Sequence, residues 1–156
     1  MNRKNIFFTS DWHIGHENVL KFCNRPFDDL VDMHKKIVKR FNATVTPNSV
    51  TYFLGDMGLC SQTVLKDVID QLNGVKVLVL GNHDKKMHGM YNCGFDVVLY
   101  SADIYIHNER VTMSHCPLKG LYREDVSTMK NCDPTDNWHG ETKKSNIPFM
   151  LSLIHI

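Results

Sequence analysis

The sequence predicts an α/β fold, and three observations carry that expectation. Short apolar runs rich in β-branched and aromatic residues alternate with stretches of helical period over roughly the first hundred residues. Hydrophobic residues make up 42% and charged residues 22%, a globular rather than a disordered mixture. At 156 residues the chain has the length of one domain and can bury a core without disulfides or metal.

Taken in order, Asn5–Ser10 holds two phenylalanines and reads as a buried strand. Asp28 or Asp29 can cap a helix from Leu30 to Ala43, whose Leu30, Met33, Ile37 and Phe41 keep a helical period. Thr46-Pro47-Asn48 breaks it, and Ser49–Leu54 forms the next strand. Ser61 caps a second helix with Val64, Leu65, Val68, Ile69 and Leu72 on one face, stopped at Asn73-Gly74. Val75–Leu80 is a continuous aliphatic run, the mark of a strand buried on both faces. Val97–Tyr100, Asp103–His107 and Arg110–Ser114 are expected to run antiparallel, with a turn at Asn108-Glu109. From Cys116 to Asn146 the chain is polar, without a clear period, and is expected to be a long loop.

Composition narrows the function. Eighteen basic against seventeen acidic residues leave a formal charge of +1, which argues against a nucleic-acid coat protein. It does not argue against an enzyme whose metal ions supply the positive charge. No apolar run approaches the roughly 20 residues of a membrane span, so no membrane partner is expected. Five cysteines, odd in number and never spaced as C-x-x-C, point away from disulfides and towards a reducing cytoplasm. Nine histidines stand out, because histidine is both a metal ligand and an acid–base catalyst.

Four polar motifs follow four apolar runs. They are Asp11-Trp12-His13, Gly55-Asp56, Gly81-Asn82-His83-Asp84 and Ser114-His115. Ligands of α/β sheets bind outside the carboxyl ends of the strands, so all four should meet at one site. D-x-H and G-D are each expected by chance about 0.7 times in such a composition, and G-N-H-D only on the order of 0.004 times. The shared strand-then-ligand layout therefore carries the weight. Carboxylate, imidazole and amide oxygen suit manganese, iron, zinc or nickel. Asp11 and His13 can chelate one ion, Asp56 can bridge with its two oxygens, and Asn82 and His115 can hold the second. Two ions about 3.5–4 Å apart can share a hydroxide that attacks phosphorus in line. His83 is the candidate general acid, with Asp84 orienting its ring. A third ligand or a structural turn histidine is the alternative for His83.

These motifs, in this order, resemble the calcineurin-like metallophosphoesterase family. Its pattern is D-x-H, G-D, G-N-H-[DE], a lone histidine after a strand, then G-H-x-H. The stretch Thr9–Asn18 with Arg25-Pro26-Phe27 is similar to small phage and bacterial members. The resemblance implies a four-layer α+β sandwich of two mixed β-sheets flanked by helices, and two divalent ions, manganese foremost. It implies Asp11 and His13 on the first metal, Asp56 bridging, Asn82 and His115 on the second, and His83 as the catalytic histidine. His16 would line the phosphate pocket, or simply begin a helix. The implied substrate is a phosphate mono- or diester, with nucleotides and nucleic acids included, acted on in the cytoplasm (the host's, if phage-encoded).

No G-H-x-H occurs in this chain; Trp138-His139-Gly140-Glu141 is the nearest approach, and is expected to be a pocket-lining loop. Residues 151–156, Leu-Ser-Leu-Ile-His-Ile, read like the translation of a transposon end used in sequencing libraries. The expectation is a partial phosphoesterase domain over residues 1–150 and a non-native tail, with an ordinary hydrophobic strand over Phe149–Ile156 as the alternative. A metal-binding domain impaired in catalysis, and a nucleic-acid-binding module, are the rival functions.

Overall fold

The computed structural model describes residues 5–106, 108–115 and 150–151. The loop expected over 116–146 and the tail beyond Leu151 lie outside those residues. In chain order the elements are β1 (Ile6–Thr9), α1 (Glu17–Phe22), α2 (Leu30–Thr44), β2 (Val50–Phe53), α3 (Gln62–Ile69), β3 (Val75–Val79) and α4 (Met87–Tyr91). Then follow β4 (Val97–Leu99), β5 (Ala102–Ile106), β6 (Glu109–Met113) and β7 (Met150–Leu151).

Strands β1 to β4 form one parallel sheet in the order of the chain, with Phe8 opposite Tyr52, Phe53 opposite Leu78 and Leu78 opposite Val98. Crossovers between parallel strands share one hand. An order without reversal therefore sends every helix to the same face. The larger core shows this directly: Phe53, Leu78 and Val98 of the sheet pack with Phe41 of α2, Leu65 and Ile69 of α3 and Met90 of α4. The other face must find a different cover. Phe8, Tyr52, Leu54 and Val79 meet Ala102, Ile104 and Met113 of a second sheet. That sheet has the order β5-β6-β7, antiparallel between β5 and β6 and parallel between β6 and β7. The described residues thus stack as helices on sheet on sheet. Among the described residues no helix covers the outer face of the second sheet, where Tyr105 is 72% exposed.

Several expectations change in detail. Asp29, not Asp28, caps α2, its carboxylate accepting from the Asp32 amide at 2.8 Å. Ser61 caps α3 as expected, accepting from the Val64 amide. The helix stops at Ile69, short of Asn73-Gly74, because the amides of Gln71 and Leu72 turn to carbonyls three residues back. Leu72 still reaches the core from that turn. Strand β1 is not buried throughout, for Ile6 is half exposed, and β3 is only half buried at Val75 and Lys76. Strand β4 is not antiparallel but joins β3 in parallel, because the short helix α4 provides a crossover. Helices α1 and α4, six and five residues long, are too short to show a period in the sequence.

Candidate metal centre

The turns that follow β1 and β2 stay zipped together beyond the sheet. Asp11 N–H donates to Gly55 O at 3.0 Å, His13 N–H to Asp56 O at 3.0 Å and Ile14 N–H to Met57 O at 2.9 Å. Within this strip three non-glycine residues have left-handed backbone: Asp11 at φ 58°, His13 at 52° and Asp56 at 55°. Each such residue costs about 1–3 kcal/mol, and such strain gathers where side chains must be aimed. Two glycines allow the strip to meet the turn after β3. A Cβ on Gly55 would lie 2.5 Å from His115 Nδ1, and one on Gly81 would collide with the Asp56 carboxylate.

The aimed side chains converge. His13 Nε2 lies 3.7 Å from Asp11 Oδ1 and 3.9 Å from Asp56 Oδ2. One ligand atom from each of Asp11, His13 and Asp56 falls within 4.8 Å of the others. On the far side of Asp56, His115 Nε2 lies 3.4 Å from the same Oδ2 and 3.0 Å from Asn82 Oδ1. Asp56 thus turns one oxygen, Oδ2, to both imidazoles. Its other oxygen accepts the His83 amide at 3.0 Å.

The charges are those of a site with several protons to place. Burial opposes charging His115, but Asp56 beside it and the Leu54 carbonyl together raise it to about 9. Burial also opposes ionisation of Asp56, yet His115 and the His83 amide hold its carboxyl below the usual range. His115 Nδ1–H donates to Leu54 O at 2.7 Å, which orients the ring with Nε2 facing inward. His13 Nδ1 is buried without a hydrogen-bond partner among the described residues. The half-buried imidazole turns its other nitrogen, Nε2, to the carboxylates of Asp11 and Asp56. The donor set fits borderline divalent cations.

Asp84 is placed differently from the expectation that it orients the His83 ring. Its Oδ2 accepts from the amides of Asp56 (3.0 Å) and Gly81 (2.8 Å), and its Oδ1 from that of Met57 (2.8 Å). Burial pushes its carboxyl up, and those amides oppose the push. Asp84 is a staple between the turns after β2 and β3. The His83 ring is exposed at the rim, its centroid 6.1 Å from that of His13. His16 is the N-cap residue of α1, and its ring centroid lies 6.0 Å from that of His13. Burial, with His13, His83 and Arg25 nearby, lowers its pKa, so it is a neutral donor at neutral pH.

Two residues escaped sequence reasoning. Arg25 donates from Nη2 to Asp11 O at 2.6 Å and from Nη1 to Trp12 O at 2.7 Å. His34 of α2 accepts the Gly15 amide on Nε2 at 3.1 Å. Both hold backbone, which residue type does not announce; only the nearness of Arg25-Pro26-Phe27 to the first motif hinted at one of them. Trp12, between the two ligands of that motif, is buried edge-on against Phe41 and Phe53 and bonds Thr9 Oγ1 at 2.7 Å. It anchors the turn to the core.

A parallel sheet with convergent carboxylate, imidazole and amide donors at its carboxyl edge is an α/β architecture carrying a candidate metal site. Comparison with known proteins then gives the family. The family model for calcineurin-like phosphoesterases matches residues 4–152, and the chain belongs to that family. Members act on phosphoester bonds and generally use divalent metal ions. The chain is 39% identical over 87 residues to the uncharacterized protein MJ1445 of Methanocaldococcus jannaschii, covering 54% of this chain and 49% of that one. It is 30% identical over 136 residues to the Gene 66 protein of Mycobacterium phage L5, covering 74% and 65%. The chain thus spans about half to somewhat under two thirds of the length of these relatives. Among solved structures it is similar to AQ665 of Aquifex aeolicus, a protein of unknown function, with a TM-score of 0.64 and 26% identity over 82% of this chain and 69% of that one. No helix among the described residues is long and apolar enough to cross a membrane.

Proposed function

We propose that this protein is a metal-dependent phosphoesterase that hydrolyses phosphate mono- or diesters at the carboxyl edge of its parallel sheet. The observation that carries the proposal is Asp56 Oδ2, which faces His13 Nε2 on one side and His115 Nε2 on the other. Asp11, His13 and Asp56 would hold one divalent cation, and Asp56, Asn82 and His115 a second. Manganese is the first choice, with iron, zinc or nickel compatible with the same donors. Such a pair supplies Lewis acidity to the phosphoryl oxygens and makes water nucleophilic near neutral pH.

The chain's own groups do the rest. The left-handed backbone at Asp11, His13 and Asp56 aims the donors before any ligand arrives, so binding energy is not spent on ordering them. His83 stands at the open rim and donates a proton to the leaving oxygen. Its amide is tied to Asp56 Oδ1, so its ring is carried by the same rigid turn as the shared carboxylate. His16, neutral, donates a hydrogen bond to a phosphoryl oxygen. A nucleotide or nucleic-acid ester fits this chemistry as well as a small phosphate ester does, because these residues address only the phosphoryl group.

The test is manganese-stimulated hydrolysis of an aryl phosphate. Asp56→Asn is expected to lower the rate by at least about a hundredfold, since both cation positions lose their shared oxygen. Full activity in that variant overturns the assignment. His83→Ala is expected to cost about 10²–10⁴-fold with an alkyl leaving group and much less with a nitrophenolate, which departs without a proton. Equal losses on both substrates remove His83 as the general acid. Tight binding of manganese without turnover of any ester favours the catalytically impaired metal-binding domain instead.

A further inference from the structure

We propose that Arg25 is a positioning residue that holds the metal-ligating turn after β1 in its left-handed conformation. The proposal rests on the reading of Asp11 and His13 as ligands. Most backbone groups of that turn can be followed to a partner among the described contacts. The amides of Asp11, His13 and Ile14 go to the carbonyls of Gly55, Asp56 and Met57. The amide of Gly15 goes to His34, the carbonyl of His13 to the His16 amide, and that of Ile14 to the Leu59 amide. The carbonyls of Asp11 and Trp12 both go to Arg25.

Successive carbonyls of an extended chain point to opposite sides. Here two in a row converge on one guanidinium, and the residue carrying the first has φ 58°. Parallel carbonyl dipoles repel one another. A planar cation with forked donors offsets that repulsion as no single-point donor can. Arg25 is itself fixed. Its amide donates to Leu20 O at 3.0 Å, its carbonyl accepts from the Phe27 amide at 2.8 Å, and Nη1 also lies 3.7 Å from Met33 Sδ. The guanidinium is half-buried, which lowers its pKa without discharging it. Remove the fork, and the strained turn is free to relax. Asp11 and His13 then lose their common aim while the sheet beneath them stays intact.

The experiment compares the wild type with Arg25→Lys, which keeps the charge but not the fork, and with Arg25→Ala. Asn73→Ala, which removes a bond to Val45 O before β3 at the opposite edge of the sheet, is the control for stability alone. Amide hydrogen exchange at Asp11, His13 and Ile14 is expected to quicken about tenfold in Arg25→Lys, and not in the control. Calorimetric titration with manganese is expected to show about a 10–100-fold loss of affinity at the Asp11–His13–Asp56 position. Millimolar guanidinium should restore part of that affinity in Arg25→Ala. Unchanged exchange at those three amides in folded Arg25→Lys overturns the proposal. So does a loss of affinity matched by Asn73→Ala. If the wild type itself binds no manganese, the metal reading fails, and the exchange data still decide whether Arg25 holds the turn.

Discussion

His34 shows how one side chain can matter without touching chemistry. Its Nε2 accepts the Gly15 amide, so the ring must be unprotonated there, and burial in fact pulls its pKa below the usual range. The unfolded chain therefore takes up the proton more readily than the folded one. The stability linked to His34 is complete above pH about 6.5 and is lost as pH falls below it through the lower folded value. A His34→Gln variant, whose side-chain oxygen can accept the same amide, is expected to lose less stability between pH 7 and 5 than the wild type. Urea unfolding at several pH values reads this, and parallel losses in the two proteins would refute it. At this scale Asp11, His13, Asp56, Asn82 and His115 were legible, because a polar ligand type directly after an apolar run is itself a signal. His34 and Arg25 were not. Each acts on backbone thirteen to nineteen residues away, and backbone acceptors are anonymous in a sequence.

Among elements, what matters most is how three turns are made into one rigid body. Asp84 gathers the amides of Asp56, Met57 and Gly81 and so ties the end of β2 to the end of β3. Asp84→Asn exchanges one acceptor oxygen for an NH₂ facing an amide hydrogen. It is expected to cost about 1–3 kcal/mol, read as a lower urea midpoint at unchanged slope. Because the two turns would then move independently, metal affinity should fall with stability. Affinity unchanged in a destabilised Asp84→Asn would show that the staple serves folding alone. Helices α2 and α3 were readable because fifteen and eight residues show both a period and a cap. The short α1 and α4 offered neither, and without α4 the direction of β4 had no basis in the sequence.

For the molecule as a whole, the strand order decides the rest. An unreversed parallel sheet leaves one face without helices, so the protein must build a second, smaller core around Leu54, Val79 and Met113. Leu54→Ala is expected to cost about 2–5 kcal/mol in thermal or urea unfolding, despite lying outside the larger core. A cost below about 0.5 kcal/mol, the range of surface changes, would mean that the two sheets are not truly packed. This arrangement was legible only through resemblance, since no periodicity tells which strands are neighbours. The order of the second sheet also bears on how the chain is made. Strands β5 and β6 leave the ribosome as a hairpin, but β7 follows far later. The roughly forty residues separating Met113 from Leu151 emerge over a few seconds at about 5–20 residues per second. During the last part of that interval one side of β6 is an unpaired row of amides and carbonyls, open to a neighbouring nascent chain. Glu109 and Arg110, both exposed at its start, put opposite charges on that edge and make such pairing costly until the chain's own strand arrives.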